Sequence, residues 1–286
     1  MRWFLPLMVL LMICPIQGIP QNLDGSFYDP ATEPDIDMFI ASWKESVPAI
    51  SHGTLIERAV FTRGQNPDPT RKGAVLEFIN RFSYATLPVR AVTTPTVLND
   101  EQEILYILSG NGTIQGAGET FQLSPGMAVL IPENLSFTMS NTGETDMSMY
   151  LLAEPIPEGF RPNKQLLIRN EGSVPFSKNI VHWSHMDTFL LRTEDGLGTL
   201  ELVETCTFGP MTIGHPHSHG EGTEEVWSVI SGDNIVMLGK QIRRQPVGTS
   251  YLIPNDGKTP HSNINVTDEL LKFFYFARYR DHDVRP

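Results

Sequence analysis

The stretch Glu103-Ile-Leu-Tyr-Ile-Leu-Ser-Gly110 returns 122 positions later as Glu225-Val-Trp-Ser-Val-Ile-Ser-Gly232. Gly126-Met-Ala-Val-Leu-Ile-Pro132 returns as Gly248-Thr-Ser-Tyr-Leu-Ile-Pro254 at the same spacing, and Asn141 corresponds to Asn265 at a spacing of 124. Three blocks in one order at nearly one offset mark an internal duplication with a two-residue insertion in one turn. Each copy reads as a series of short strands. Gly110-Asn-Gly112 and Ser231-Gly-Asp-Asn234 are hairpin-type turns between apolar runs, and Leu123-Ser-Pro-Gly126 is a further turn. Short strands with regular turn signals predict an all-β protein built from a sandwich or small barrel, present twice.

The duplication sets the expected domain organisation. The two modules span 73–154 and 197–286, the second including a C-terminal tail. The segment 155–196 reads as a linker between them, opening with the proline-rich loop Pro155-Ile-Pro-Glu-Gly-Phe-Arg-Pro162. Residues 21–72 read as an N-terminal extension, with a short helix expected over 35–47 and an added strand over 56–62. Ahead of it, Arg2, an apolar run over 4–13 broken only by Pro6, and Ile16-Gln17-Gly18 predict a signal peptide over 1–20, cleaved near Gly18. A secreted or periplasmic protein is the expectation. Lipidation at Cys14 is the competing reading, and Ile13 is bulky where a small residue is wanted. No later stretch offers the roughly 18 apolar residues needed for a membrane span, so membrane insertion is not expected.

With 33 acidic against 21 basic side chains, the formal charge is −12. Such a chain repels phosphate backbones and argues against nucleic-acid binding. If Cys14 leaves with the signal, Cys206 is alone; its apolar neighbours predict a buried, inert thiol.

His215-Pro-His-Ser-His219, taken alone, reads as a histidine-rich surface loop. Its context changes that reading. His217 and His219 share one face of an extended strand, Glu225 opens the next strand, and His261 lies beyond Gly248 and Pro254. A barrel can gather these four into one pocket. Three imidazoles and a carboxylate suit Fe, Mn, Zn, Ni or Cu and leave coordination positions open for water or substrate.

These motifs resemble the cupin superfamily. Its first motif is His-x-His, a short gap, Glu, six residues and Gly; here it is His217, His219, Glu225 and Gly232, with the gap one residue longer. Its second motif is matched by Gly248, Pro254, His261 and Asn265. The resemblance covers both modules and implies a bicupin of two tandem double-stranded β-helix (jelly-roll) barrels. It implies one divalent metal ion held by His217, His219, Glu225 and His261. Glu225 is the one catalytic candidate, and its first role is that of a ligand. Asn265 is expected to be a turn or strand residue. The first module keeps Glu103, but Thr96 and Leu98 stand in the His-x-His slot and Phe137 replaces the last histidine, so that barrel is expected to be metal-free, with Glu103 a hydrogen-bonded relic.

Candidate pocket residues are Trp227, which shares parity with Glu225, together with Gln241 and Arg243 on a neighbouring strand and His215 at the rim. His182 and His185 sit in the linker, as a pocket cover or an ordinary packed aromatic segment. His52 and His282 read as surface residues. The sequons at Asn111, Asn134 and Asn265 matter only in a glycosylating host. Three functions stay open. One is an oxygen-dependent enzyme of the dioxygenase or oxidase type acting on a small organic or sugar-derived substrate. The second is a non-redox lyase, isomerase, decarboxylase or hydrolase. The third is a binding or storage protein such as the seed bicupins it resembles. A homo-oligomer is compatible with all three.

Overall fold

The computed structural model describes residues 29, 31–177 and 185–279. The expected signal segment with Cys14 and Gly18, the pair His182 and Trp183, and His282 lie outside them. Four strands precede the first barrel: β1 (Ile40–Ser42), β2 (Ala49–Ser51), β3 (Leu55–Arg63) and β4 (Ala74–Leu76). The barrel itself runs through β5 (Arg81–Leu87), β6 (Thr96–Val97), β7 (Glu101–Ser109), β8 (Gly112–Gly116), β9 (Glu119–Leu123), β10 (Met127–Ile131), β11 (Ser136–Asn141) and β12 (Met147–Pro155). Two strands follow, β13 (Leu167–Asn170) and β14 (His185–Arg192). The second barrel comprises β15 (Leu202–Phe208), β16 (Thr212–Ile213), β17 (Glu224–Ser231), β18 (Asp233–Leu238), β19 (Gln241–Pro246), β20 (Thr249–Leu252), β21 (His261–Asn265) and β22 (Leu271–Arg278).

Each half is a large sheet closed by a small one. The large sheets run β13-β10-β7-β12-β5-β3-β2, with β4 beside β3, and β1-β20-β17-β22-β15-β14; the small ones run β6-β11-β8-β9 and β16-β21-β18-β19. The halves correspond strand for strand except for β2 and β4, which only the first possesses. Even the asparagines correspond: Asn141 Nδ2 donates to the carbonyls of Leu87 and Thr145, and Asn265 Nδ2 to those of Gly209 and Glu269.

The repeated unit is longer than the barrel. The 3-10 turn Trp43–Glu45 stands between β1 and β3, as Glu171–Ser173 stands between β13 and β14. Each copy lends its first strand to the other barrel. β1 pairs with β20, Ile40 opposite Tyr251, and β13 pairs with β10, Asn170 opposite Met127. This pairing also explains why 35–47 holds no single helix. Ile40–Ser42 finds its backbone partners on β20, and only the 3-10 turns Ile36–Phe39 and Trp43–Glu45 remain on either side. So short a segment gains little from helix formation in isolation. The Asp35 and Ser42 side chains cap the two turns.

The long central strands are buried on both faces, which is why they read as nearly continuous apolar runs. In β7, Leu105 and Ile107 belong to the core enclosed by the first barrel, while Ile104 and Tyr106 join a core shared with the second. At that shared face the rings of Tyr106 and Tyr150 lie 5.2 and 5.3 Å from Phe274. Ser228 Oγ donates to the Tyr150 hydroxyl at 2.8 Å.

Two buried carboxylates fasten the halves. Glu154 accepts hydrogen bonds from the backbone N–H groups of Gly198, Thr199 and Leu200, the last at 2.7 Å. Glu224 accepts from those of Glu77, Phe78 and Ile79 in the other half. Burial pushes the Glu224 carboxyl up to about 7 against the pull of those three donors, and it raises Glu154 in the same way. Removing such an acceptor strands several buried donors. Glu154→Ala is expected to lower the unfolding free energy by about 3 kcal/mol in urea titrations. Exposed Glu158→Ala should stay within about 0.5 kcal/mol of the wild type. Equal stability of the two variants would refute the role given to Glu154.

Candidate metal centre

Strand alternation decides what enters the second barrel. On β17, Glu224 and Ser228 face the first barrel, so Glu225 and Trp227 face inward. His217 is held opposite His261 by two backbone hydrogen bonds, His217 N to His261 O at 3.3 Å and His261 N to His217 O at 2.9 Å. The ring nitrogens of His217, His219 and His261 fall within 4.8 Å of one another. Glu225 closes the group: Oε2 lies 2.8 Å from His219 Nε2, and Oε1 lies 3.2 Å from His261 Nε2. Donors around one ion at 2.0–2.2 Å must stand roughly 3–4 Å apart, so these side chains fit a divalent cation. Nδ1 of buried His261 has no hydrogen-bond partner among the described residues.

The surroundings orient the donors. His217 Nδ1 donates to the His215 carbonyl at 2.9 Å, which leaves the lone pair on Nε2. Trp227 Nε1 donates to Glu225 Oε1 at 2.6 Å and steadies the carboxylate. Burial, and then neighbouring His261, push His217 down to about 4, so its ring is neutral near pH 7. Burial alone would lower His219, but the Glu225 charge outweighs it and raises the imidazole above its ordinary value. Burial would raise the Glu225 carboxyl, yet His219 and His261 hold it well below the usual range.

Other inward residues complete the lining. Tyr275 lies opposite Trp227, their rings 4.5 Å apart, and its hydroxyl meets that of Tyr279 at 2.7 Å. The Tyr279 ring stands 5.9 Å from the His219 ring. Burial, and then the Glu225 charge, push both phenols well up, so they remain O–H donors at neutral pH. Sequence reasoning missed both tyrosines. Their even spacing with Phe273, along β22 and the residue after it, was the available signal.

Two pocket candidates point elsewhere. Arg243 is on the outer small sheet and forms a double ion pair with Asp37, Nε to Oδ1 at 2.8 Å and Nη2 to Oδ2 at 3.0 Å. Gln241 accepts from Arg243 and lines a cleft of about 320 Å³ with Glu33, Lys240 and Lys258. None of the four donor residues lines that cleft. The N-terminal extension draws both residues outward, and the parity of β19 alone could not show it. His215 is exposed, its ring 5.9 Å from that of His217.

The equivalent slot of the first barrel is filled differently. Thr96 lies opposite Phe137, as His217 lies opposite His261. Glu103 is buried between Arg81 Nη2 and His52 Nε2, the latter at 3.1 Å. His52 is therefore no surface residue: the N-terminal extension carries it into the barrel, where its side chain is 4% exposed.

Comparison with known proteins agrees with this architecture. Residues 83–153, all in the first barrel, match the family model described as the cupin domain. No curated protein sequence matches the chain. Among solved structures, the putative glyoxylate-induced protein of Pseudomonas aeruginosa superposes with a TM-score of 0.68 at 13% identity, covering 90% of this chain and 96% of that one. The oxalate decarboxylase of Lactobacillus farciminis in its formate complex gives 0.62 at 11%, with 85% and 86% covered. Hazelnut (Corylus avellana) vicilin gives 0.62 at 12%, with 84% and 85% covered. The first barrel thus matches the cupin domain, the whole chain has the two-barrel cupin fold of these structures, and the second barrel carries side chains able to bind a metal.

Metal and proton compete for His219, whereas His217 is already neutral. Divalent-metal affinity is expected to rise from about pH 6 to about pH 8, with proton release on binding, in titrations at fixed ionic strength. Affinity independent of pH over that range would contradict the arrangement.

Proposed function

We propose that this bicupin is a secreted or periplasmic metal-dependent enzyme that catalyses proton-transfer chemistry on a small oxygen-bearing organic molecule. The reaction class is that of a lyase, isomerase, decarboxylase or hydrolase. The observation that carries the reading is the Tyr279 ring, 5.9 Å from that of His219, with its hydroxyl hydrogen-bonded to that of Tyr275.

A divalent ion held by His217, His219, Glu225 and His261 would supply Lewis-acid polarisation of a bound oxygen. The chain's own groups do the rest. Trp227 and the His215 carbonyl fix the donors in place. The Tyr279 hydroxyl, backed by Tyr275, is placed to donate a proton to an oxygen developing charge near His219. His217 and His219 keep part of their side chains accessible while Glu225 and His261 are buried, so substrate enters on the side of that pair.

The test is turnover of a panel of small hydroxy and keto acids by metal-loaded protein, with and without oxygen. Activity should survive strict anaerobiosis and vanish in a double variant, His217→Ala with His219→Ala. Tyr279→Phe should keep its metal and lose about 10²-fold in kcat. Oxygen uptake coupled to substrate loss would replace this reading with the dioxygenase or oxidase one. A fully loaded protein that turns over none of the panel would favour binding or storage.

A further inference from the structure

Below the three-histidine site, on the same inner face of the second barrel, lies a second group of metal-binding atoms. On β15 and β14, Cys206 is directly opposite Asp187, and His185 is two residues along on the same side. One ligating atom from each of His185, Asp187 and Cys206 falls within 4.8 Å of the others. The Cys206 thiol donates to Asp187 Oδ1 at 3.2 Å and to Glu204 Oε1 at 3.1 Å. His185 Nδ1 lies 2.6 Å from Asp187 Oδ1.

Two features set this group apart from an ordinary hydrogen-bonded cluster. Glu204 is 5% exposed, and its second oxygen, Oε2, is buried with no hydrogen-bond partner among the described residues. Two carboxylates therefore meet in the barrel interior; Asp187 has His185 as its partner, whereas Glu204 has no basic side chain within ion-pair distance among the described residues. Burying such groups without a compensating charge is costly. A cation removes that cost.

We propose that His185, Asp187, Glu204 and Cys206 form a second divalent-metal site of the zinc class, distinct from the site of His217, His219, Glu225 and His261. Sulfur, nitrogen and oxygen donors together suit a borderline-soft tetrahedral ion and disfavour magnesium or calcium. On binding, the Sγ–metal bond forms as the thiol proton leaves to solvent, and the carboxylates that held that proton turn to the ion. Trp227 neighbours both sites: its ring is 6.1 Å from that of His185 and 6.4 Å from that of His261. The position of the second site between β14 and β15 gives it a structural role, tying the two strands as a disulfide or a salt bridge would elsewhere.

The probe is cobalt(II), loaded during expression in cobalt-supplemented medium so that the buried site fills as the chain folds. Wild-type protein should carry about two cobalt ions per chain and show thiolate-to-cobalt charge-transfer absorption in the near ultraviolet. Cys206→Ser should lose that absorption and one ion. A double variant of His217→Ala and His219→Ala should lose the other ion and keep the absorption. The wild-type spectrum decides the matter even if Cys206→Ser fails to fold. Wild-type protein without the absorption, or absorption that persists in Cys206→Ser, would overturn the proposal. Because the two sets of variants remove different ions, failure here is separable from failure of the three-histidine site.

Discussion

Strands buried on both faces can alternate in only one way, and that constraint governs this molecule. Each residue of β7, β12, β17 and β22 faces either the interior of its own barrel or the other barrel, with little solvent-facing room on either side. A slip of one position would carry Glu225 to the shared face and drive Glu224 into the barrel. The carboxylate of Glu224 on three backbone donors of the opposite half therefore does two jobs. It ties the halves together and fixes the register that places Glu225 beside the histidines. Structure and site are set by the same pairing.

The duplicated halves show how one slot diverges. In both, a glutamate near the start of a long strand of the large sheet, Glu103 or Glu225, faces inward, and its neighbourhood must answer a buried negative charge. In the second barrel three imidazoles surround it. In the first, Arg81 and His52 meet it directly, and Phe137 fills the space that His261 occupies in the other copy. A guanidinium in the slot makes a structural ion pair, whereas imidazoles on opposed strands make a ligand shell. The reciprocal loan of β1 and β13 then joins a half whose histidines could bind a metal to a half whose equivalent glutamate is held by Arg81 and His52.

Much of this was legible in the sequence because it was local or repeated. The duplication, the two-barrel β architecture and the inward parity of Glu225 with Trp227 all follow from spacing. So does the correspondence of Asn141 with Asn265. What escaped notice depends on chain segments far apart. His52 enters the first barrel on a strand of the N-terminal extension, and Arg243 is drawn outward by Asp37, 206 positions away. Tyr275 and Tyr279 lie in a run of aromatic residues whose composition suggests only a core. The segments read as extension and linker each supply an edge strand to the opposite barrel, a relation visible only once the pairing partners are known.

The central claim is that a divalent ion sits among His217, His219, Glu225 and His261. Anomalous diffraction from crystals of manganese-loaded protein addresses it most directly. The account predicts one peak within bonding distance of those four side chains and none between His52 and Glu103. A peak in the first barrel, or well-ordered second-barrel histidines with no ion among them, would contradict it.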